Sequence, residues 1–138
     1  MNLEMLCLLL VAILAASLWI PFVIGINTTE FAGKADSFSR PPSLASMAPW
    51  VHRAHRAHLN LLEQLLPFAI VVLIAHELGV STTATGIAAV AFVVLRVVHA
   101  IGMISGTARM PLRPLLFTAG WITILVVVWE IFRVAAWT

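Results

Sequence analysis

Apolar residues run almost unbroken through four stretches of the chain, 5–26, 59–78, 83–104 and 115–136. Each is close to the ~20 residues a helix needs to cross a hydrocarbon core about 30 Å thick. The second stretch is preceded by a mixed polar turn, with Ser46 as a candidate N-cap and Pro49 in the first turn, so that helix starts in the water phase. The pattern predicts an all-α fold: an integral membrane four-helix bundle with helices at about 5–26, 48–78, 83–106 and 114–136, making 1–138 a single domain. Between the first two helices, 27–47 is rich in Ser, Thr, Gly and Pro and reads as a long loop, either a lid or a passive linker.

Composition agrees, since 62% hydrophobic residues, 10% charged residues and a mean hydropathy of +1.04 exclude a soluble globular domain. Lys34, Arg40, Arg53 and Arg56 fall between or at the mouths of helices one and two, and Arg109 and Arg113 between helices three and four. Both connections lie on one side, which the positive-inside rule places in the cytoplasm, with both termini on the opposite side. The net charge of +2 then reflects topology and not nucleic-acid binding. Glu4, where a secretory signal carries Lys or Arg, argues that the first helix is retained. Cys7, the only cysteine, reads as a packing residue.

The polar positions that break the apolar pattern carry the chemistry. Arg56, Asn60 and Glu63 fall within about 60° of one another on a helix, over ~10 Å of its length. An ionisable residue at membrane depth costs on the order of 2.5–3.5 kcal/mol, so such a stripe needs mutual pairing or a ligand. Pro67 on the same helix is expected to kink it and free the carbonyl near Glu63. Arg96 and His99 share a face of helix three, and Arg96 lies ~15 Å below its cytoplasmic end at about 1.5 Å per residue. A Glu63–Arg96 ion pair is the expected structural partnership, within a chain or between subunits. Glu130 and Arg133 suit an i,i+3 pair at the outer end of helix four, and Trp50, Trp129 and Trp137 suit interfacial belts. His52, His55 and His58 spread over about 120° of helix with no acid or cysteine beside them, so no metal site is expected.

The segment Arg53-Ala54-His55-Arg56-Ala57-His58-Leu59-Asn60-Leu61-Leu62-Glu63, followed by Leu66-Pro67-Phe68, resembles the signature of the membrane-associated proteins in eicosanoid and glutathione metabolism, the MAPEG family. The resemblance extends over essentially the whole chain. It implies a homotrimer of four-helix bundles binding glutathione at subunit interfaces near the cytoplasmic face, together with a hydrophobic small molecule or lipid. Carried over by residue, it assigns Arg56, Asn60 and Glu63 to glutathione, with Arg53 and His58 nearby, and gives Arg109 or Arg113 the role of stabilising the thiolate. The chain has no tyrosine, so His99 and Met103 stand at turns where family members often place tyrosines that contact glutathione. His99 is accordingly a candidate thiol contact.

Glutathione also fits on chemical grounds: its two carboxylates and ammonium call for cations at one end and a carboxylate with an amide at the other. Three functions follow in order: a glutathione transferase or peroxidase acting on hydrophobic electrophiles, a non-catalytic scaffold of the same fold that binds lipid or glutathione, and a small transporter using Glu63, Arg96 and His99. The last needs a polar route to the outer face, which the apolar stretch 65–75 does not offer.

Overall fold

The computed structural model describes residues 1–31, 34 and 43–135. The middle of the expected 27–47 loop, Arg40 included, lies outside the described residues, as does Trp137. Five helical segments make four apolar spans: α1 (Leu3–Ser17) and α2 (Ile20–Thr28) together form the first, followed by α3 (Pro49–Glu77), α4 (Thr83–Ser105) and α5 (Leu112–Ala135).

The first span breaks where a continuous helix was expected. Pro21 cannot donate to the Ser17 carbonyl, and its ring crowds that carbonyl. The side chains around the break bond backward along the chain: Ser17 Oγ donates to the Ile13 carbonyl at 2.9 Å, and Trp19 Nε1 to that of Ala16 at 2.7 Å. By contrast α3 passes through Pro67 as one helix. Its N-cap is Ala48 with Pro49 at the first position, while Ser46 closes a short 3-10 turn just before it.

α4 packs against α5, α3 and α1, and α2 rests on α3. Phe68 and Phe92 meet at the middle of the core, their rings stacked 3.9 Å apart between α3 and α4. Outward-facing Leu9, Ile13, Ile70, Val94, Ile122 and Leu125 leave an apolar perimeter suited to acyl chains.

At the end of the bundle near the N-terminus, α4 starts with a reciprocal capping box in which the Thr82 and Thr85 hydroxyls accept from each other's backbone N–H at 3.2 and 2.8 Å. Glu4, only 3% exposed, accepts hydrogen bonds from Ser81 Oγ at 3.1 Å and from Thr85 Oγ1. Glu130 accepts from Thr82 Oγ1 at 2.8 Å and takes both Arg133 donors, Nε at 2.9 Å and Nη2 at 2.7 Å. The Glu130–Arg133 pair is the one expected from the sequence. Glu4, read there only as a sign that the first helix is retained, also ties α1 to the start of α4.

Candidate functional site

The basic end of the bundle is assembled by three helices, and two cavities adjoin there. A mouth cavity of about 480 Å³ is lined by His52, Arg53 and Arg56 of α3, Met103 of α4, and Gly106, Ala108, Arg109 and Arg113 beyond it. A second cavity of about 340 Å³ is lined by Asn60, His99, Met110, Arg113, Pro114, Phe117 and Thr118. Arg113 belongs to both.

The structure brings some of the expected residues together and separates others. Asn60, 9% exposed, and His99, 3% exposed, converge from α3 and α4 on the cavity that Arg113 enters from α5. The stripe on α3 divides. Its inward face runs through Ala57, Asn60, Leu61, Gln64 and Phe68, so Asn60 points into the bundle while Arg56 and Glu63 are exposed on the protomer surface. Arg56 nonetheless reaches the mouth cavity, and Arg109 lines that cavity without lining the deeper one.

Arg53 is occupied elsewhere. Its Nε donates to the Met103 carbonyl at 3.1 Å and its Nη2 to that of Ile104 at 3.3 Å, satisfying carbonyls at the end of α4. The guanidinium packs against Gly106, whose φ of +81° closes the helix in a conformation that L side chains rarely adopt. His58 is half-buried and lines neither cavity, and His55 packs on Phe22 with ring centroids 4.6 Å apart.

The expected Glu63–Arg96 pair does not form within the chain. Arg96, 1% exposed, donates from Nη2 to the Leu116 carbonyl at 2.8 Å and lies over the rings of Phe92 and Phe117, 5.7 and 5.8 Å from their centroids. Its neighbour is Gln64, about 100° around the helix from Glu63, whose Nε2 donates to the Phe117 carbonyl at 2.8 Å. Gly120 makes the approach possible: a Cβ there would come within 2.6 Å of both Arg96 Nη2 and Gln64 Oε1.

Gln64 and Gly120 were missed in the sequence, as were Phe117 and Thr118 in the cavity wall. Gln64 carried a signal, being an amide inside an apolar run, but the adjacent Glu63 outweighed it. Gly120 carried none locally.

This half of the bundle is polar and incompletely satisfied. Asn60 Nδ2, Gln64 Oε1, Arg96 Nε and Nη1, and His99 Nε2 are buried without a hydrogen-bond partner among the described residues. Donors outnumber acceptors, and no carboxylate lines either cavity among the described residues. Such an interior suits anionic groups, because a buried unpartnered donor costs on the order of 1–3 kcal/mol until something accepts from it.

Past Arg96 along α4 the polar groups give way to an apolar layer. On α4 the order is His99, Arg96, then Phe92 stacked on Phe68, with Ala89 and Ala88 buried beyond it before Thr85. That apolar layer separates the basic-end cluster from the carboxylates at the opposite end, with no continuous polar path between them among the described residues.

Comparison with curated proteins gives no match. The MAPEG family model matches residues 5–133, covering all four apolar spans and both cavities. With the match spanning nearly the full length of a four-span helical bundle, the chain belongs to the MAPEG family, as a multi-pass membrane protein.

Proposed function

We propose that the protein binds glutathione in the cleft between α3, α4 and α5 and presents its thiol to hydrophobic electrophiles from the bilayer, as a transferase or peroxidase. The observation that supports this best is the convergence of Asn60, His99 and Arg113 on one cavity, with Asn60 Nδ2 and His99 Nε2 buried and unpartnered. These donors suit the carboxylate and peptide oxygens of the tripeptide, and Arg56 at the mouth adds a second cation for its other carboxylate.

Arg113 is the better placed of the two candidate arginines for the thiol. It alone lines the cavity with Asn60 and His99, while Arg109 stays at the mouth. A guanidinium in a low-dielectric cleft favours the thiolate, the reactive nucleophile. Conjugation then forms a sulfur–carbon bond as the electrophile releases its leaving group or opens its ring. Thr118 supplies a hydroxyl in a cleft that has no tyrosine.

Arg56 and Glu63 on the protomer surface support assembly. Left against lipid, Glu63 would cost on the order of 2.5–3.5 kcal/mol, so a neighbouring copy and the ligand's ammonium are its natural cover. On this reading Glu63 lies at the interface of a homotrimer, with the site near the cytoplasmic face. The scaffold reading shares the same cleft and differs only in turnover; the transporter reading is disfavoured by the Phe68–Phe92 layer.

Calorimetry of glutathione binding to the detergent-solubilised protein tests the reading. Saturable binding that weakens in Arg113→Ala and Glu63→Gln is the expected result, and no binding to the native protein overturns it. A conjugation assay with a generic electrophile separates enzyme from scaffold.

A further inference from the structure

We infer that Gln64 and Arg96 are positioning residues for the thiol: together they hold the first turns of α5 against α3 and α4, and so fix where Arg113 stands in the cleft. The inference rests on the glutathione reading above and extends it to two side chains that line neither cavity.

Both side chains reach the same short piece of α5 backbone. Gln64 Nε2 donates to the Phe117 carbonyl and Arg96 Nη2 to that of Leu116, each at 2.8 Å. Leu116 and Phe117 stand one helical turn beyond Arg113, and Phe117 itself lines the cleft. The Arg96 guanidinium also lies over the Phe117 ring, 5.8 Å from its centroid.

A helix ordinarily shields such carbonyls. Each already accepts from the backbone of the next turn, and its second lone pair is open to a neighbour only where no side chain overhangs it. Gly120, in the turn after Leu116 and Phe117, leaves that gap: a Cβ there would come within 2.6 Å of both Arg96 Nη2 and Gln64 Oε1. Glycine, amide and guanidinium form one fitted contact between three helices.

Stability does not account for this contact. Gln64 Oε1 and Arg96 Nε and Nη1 stay buried without a partner among the described residues. Apolar side chains would pack the three helices as well or better, as replacements of buried ionic groups show. Hydrogen bonds between helices add direction. Near its other end α5 is held by Glu130, which accepts from Thr82 Oγ1 at 2.8 Å, so the rotation of α5 is set at two heights. At about 6 Å from the helix axis, a turn of ~20° carries a side chain ~2 Å. Misplacing a group at the reacting centre by about 1 Å can slow a reaction about a hundredfold. A guanidinium moved that far from the sulfur stabilises the thiolate less.

The test uses the full chain in detergent, native and as Gln64→Leu, Arg96→Met and Arg96→Lys. Gln64 is neutral, so its variant separates position from charge. Hydrogen–deuterium exchange over residues 109–118 reads the tether without ligand, and ultraviolet titration of bound glutathione reads the thiolate. In Gln64→Leu and Arg96→Met, exchange at the start of α5 is expected to rise, and the bound thiol to titrate about one pH unit higher, with about tenfold less thiolate below it. Glutathione affinity at acidic pH, where the thiol stays protonated, should hold within about threefold, while kcat with a generic electrophile falls about tenfold. Arg96→Lys, which keeps a cation and a donor for the Leu116 carbonyl, should recover most of the native titration. If Gln64→Leu fails to fold, Gln64→Asn, shorter by a methylene, takes its place. Unchanged exchange in both variants overturns the tether. A thiol that titrates as in the native protein when Gln64 is replaced overturns the inference too, since Arg96 then acts by charge or packing alone. Native protein that binds no glutathione removes the proposed function and the thiol half of this inference with it. Binding by the native protein with an unmoved thiol in the variants removes this inference alone.

Discussion

The two ends of this bundle handle buried polar groups in opposite ways. At the end near the N-terminus two buried carboxylates are fully engaged: Glu4 by Ser81 and Thr85, Glu130 by Thr82 and both donors of Arg133. At the basic end Asn60, Gln64, Arg96 and His99 each keep at least one buried atom unpartnered among the described residues. Satisfied networks rigidify a fold, while unsatisfied donors around a cavity hold free energy in reserve that a ligand releases. On the proposed function, one end is architecture and the other recognition.

The largest effect that would break this contrast lies between the two ends, at Gly120. Gly120→Leu drives a side chain into Arg96 and Gln64, which a Cβ alone would approach to 2.6 Å. The expected cost is about 3 kcal/mol or more, at the upper end for overpacking, read as loss of the folded protein in detergent. Thr85→Val should come next, since it deletes one side of the capping box and a donor to Glu4. It is expected to cost about 1–3 kcal/mol of stability by thermal unfolding, with glutathione affinity unchanged. A change in affinity would show that the carboxylate end is not purely architectural.

Arg113→Ala should do the reverse. It removes a charge-assisted contact worth about 1.5–3 kcal/mol to bound glutathione, at least tenfold in affinity by calorimetry, and leaves the unfolding midpoint of the unliganded protein within a few degrees. The smallest effect is expected at Arg96. Among the described residues its guanidinium has no carboxylate partner and leaves Nε and Nη1 unpartnered, so Arg96→Met is expected to strand no opposite charge. A stability change within about 1 kcal/mol of zero is expected, because an apolar side chain of similar length replaces a buried charge at little net cost. A large loss would reveal a hidden anionic partner, such as Glu63 of a neighbouring copy.

The spans were legible in the sequence because apolar length alone encodes them, and helix bounds fell within a few residues. The break at Ser17–Ile20 was written there too, in Pro21, but hydropathy averages over it. Asn60, His99 and Arg113 were legible as candidates. Their partners were not, because periodicity fixes which residues share a face of one helix and says nothing of how each helix is rotated in the bundle. That missing angle explains why Glu63 was matched to Arg96 when Gln64 is its neighbour. It also hid Glu4, whose hydroxyl donors lie 77 and 81 positions away in the chain. Arg53 looked like a ligand contact because its charge was visible, and the α4 carbonyls that occupy it were not.

The stacked rings of Phe68 and Phe92 have an electrical consequence. In an energised membrane the voltage drops across the low-permittivity slab and hardly at all across hydrated ground on either side of it. These rings and the aliphatic layer behind them form part of that slab, so an anion seated near Arg113 stays close to the potential of the compartment it came from. On the proposed function, glutathione binding there is therefore expected to respond little to the transmembrane field.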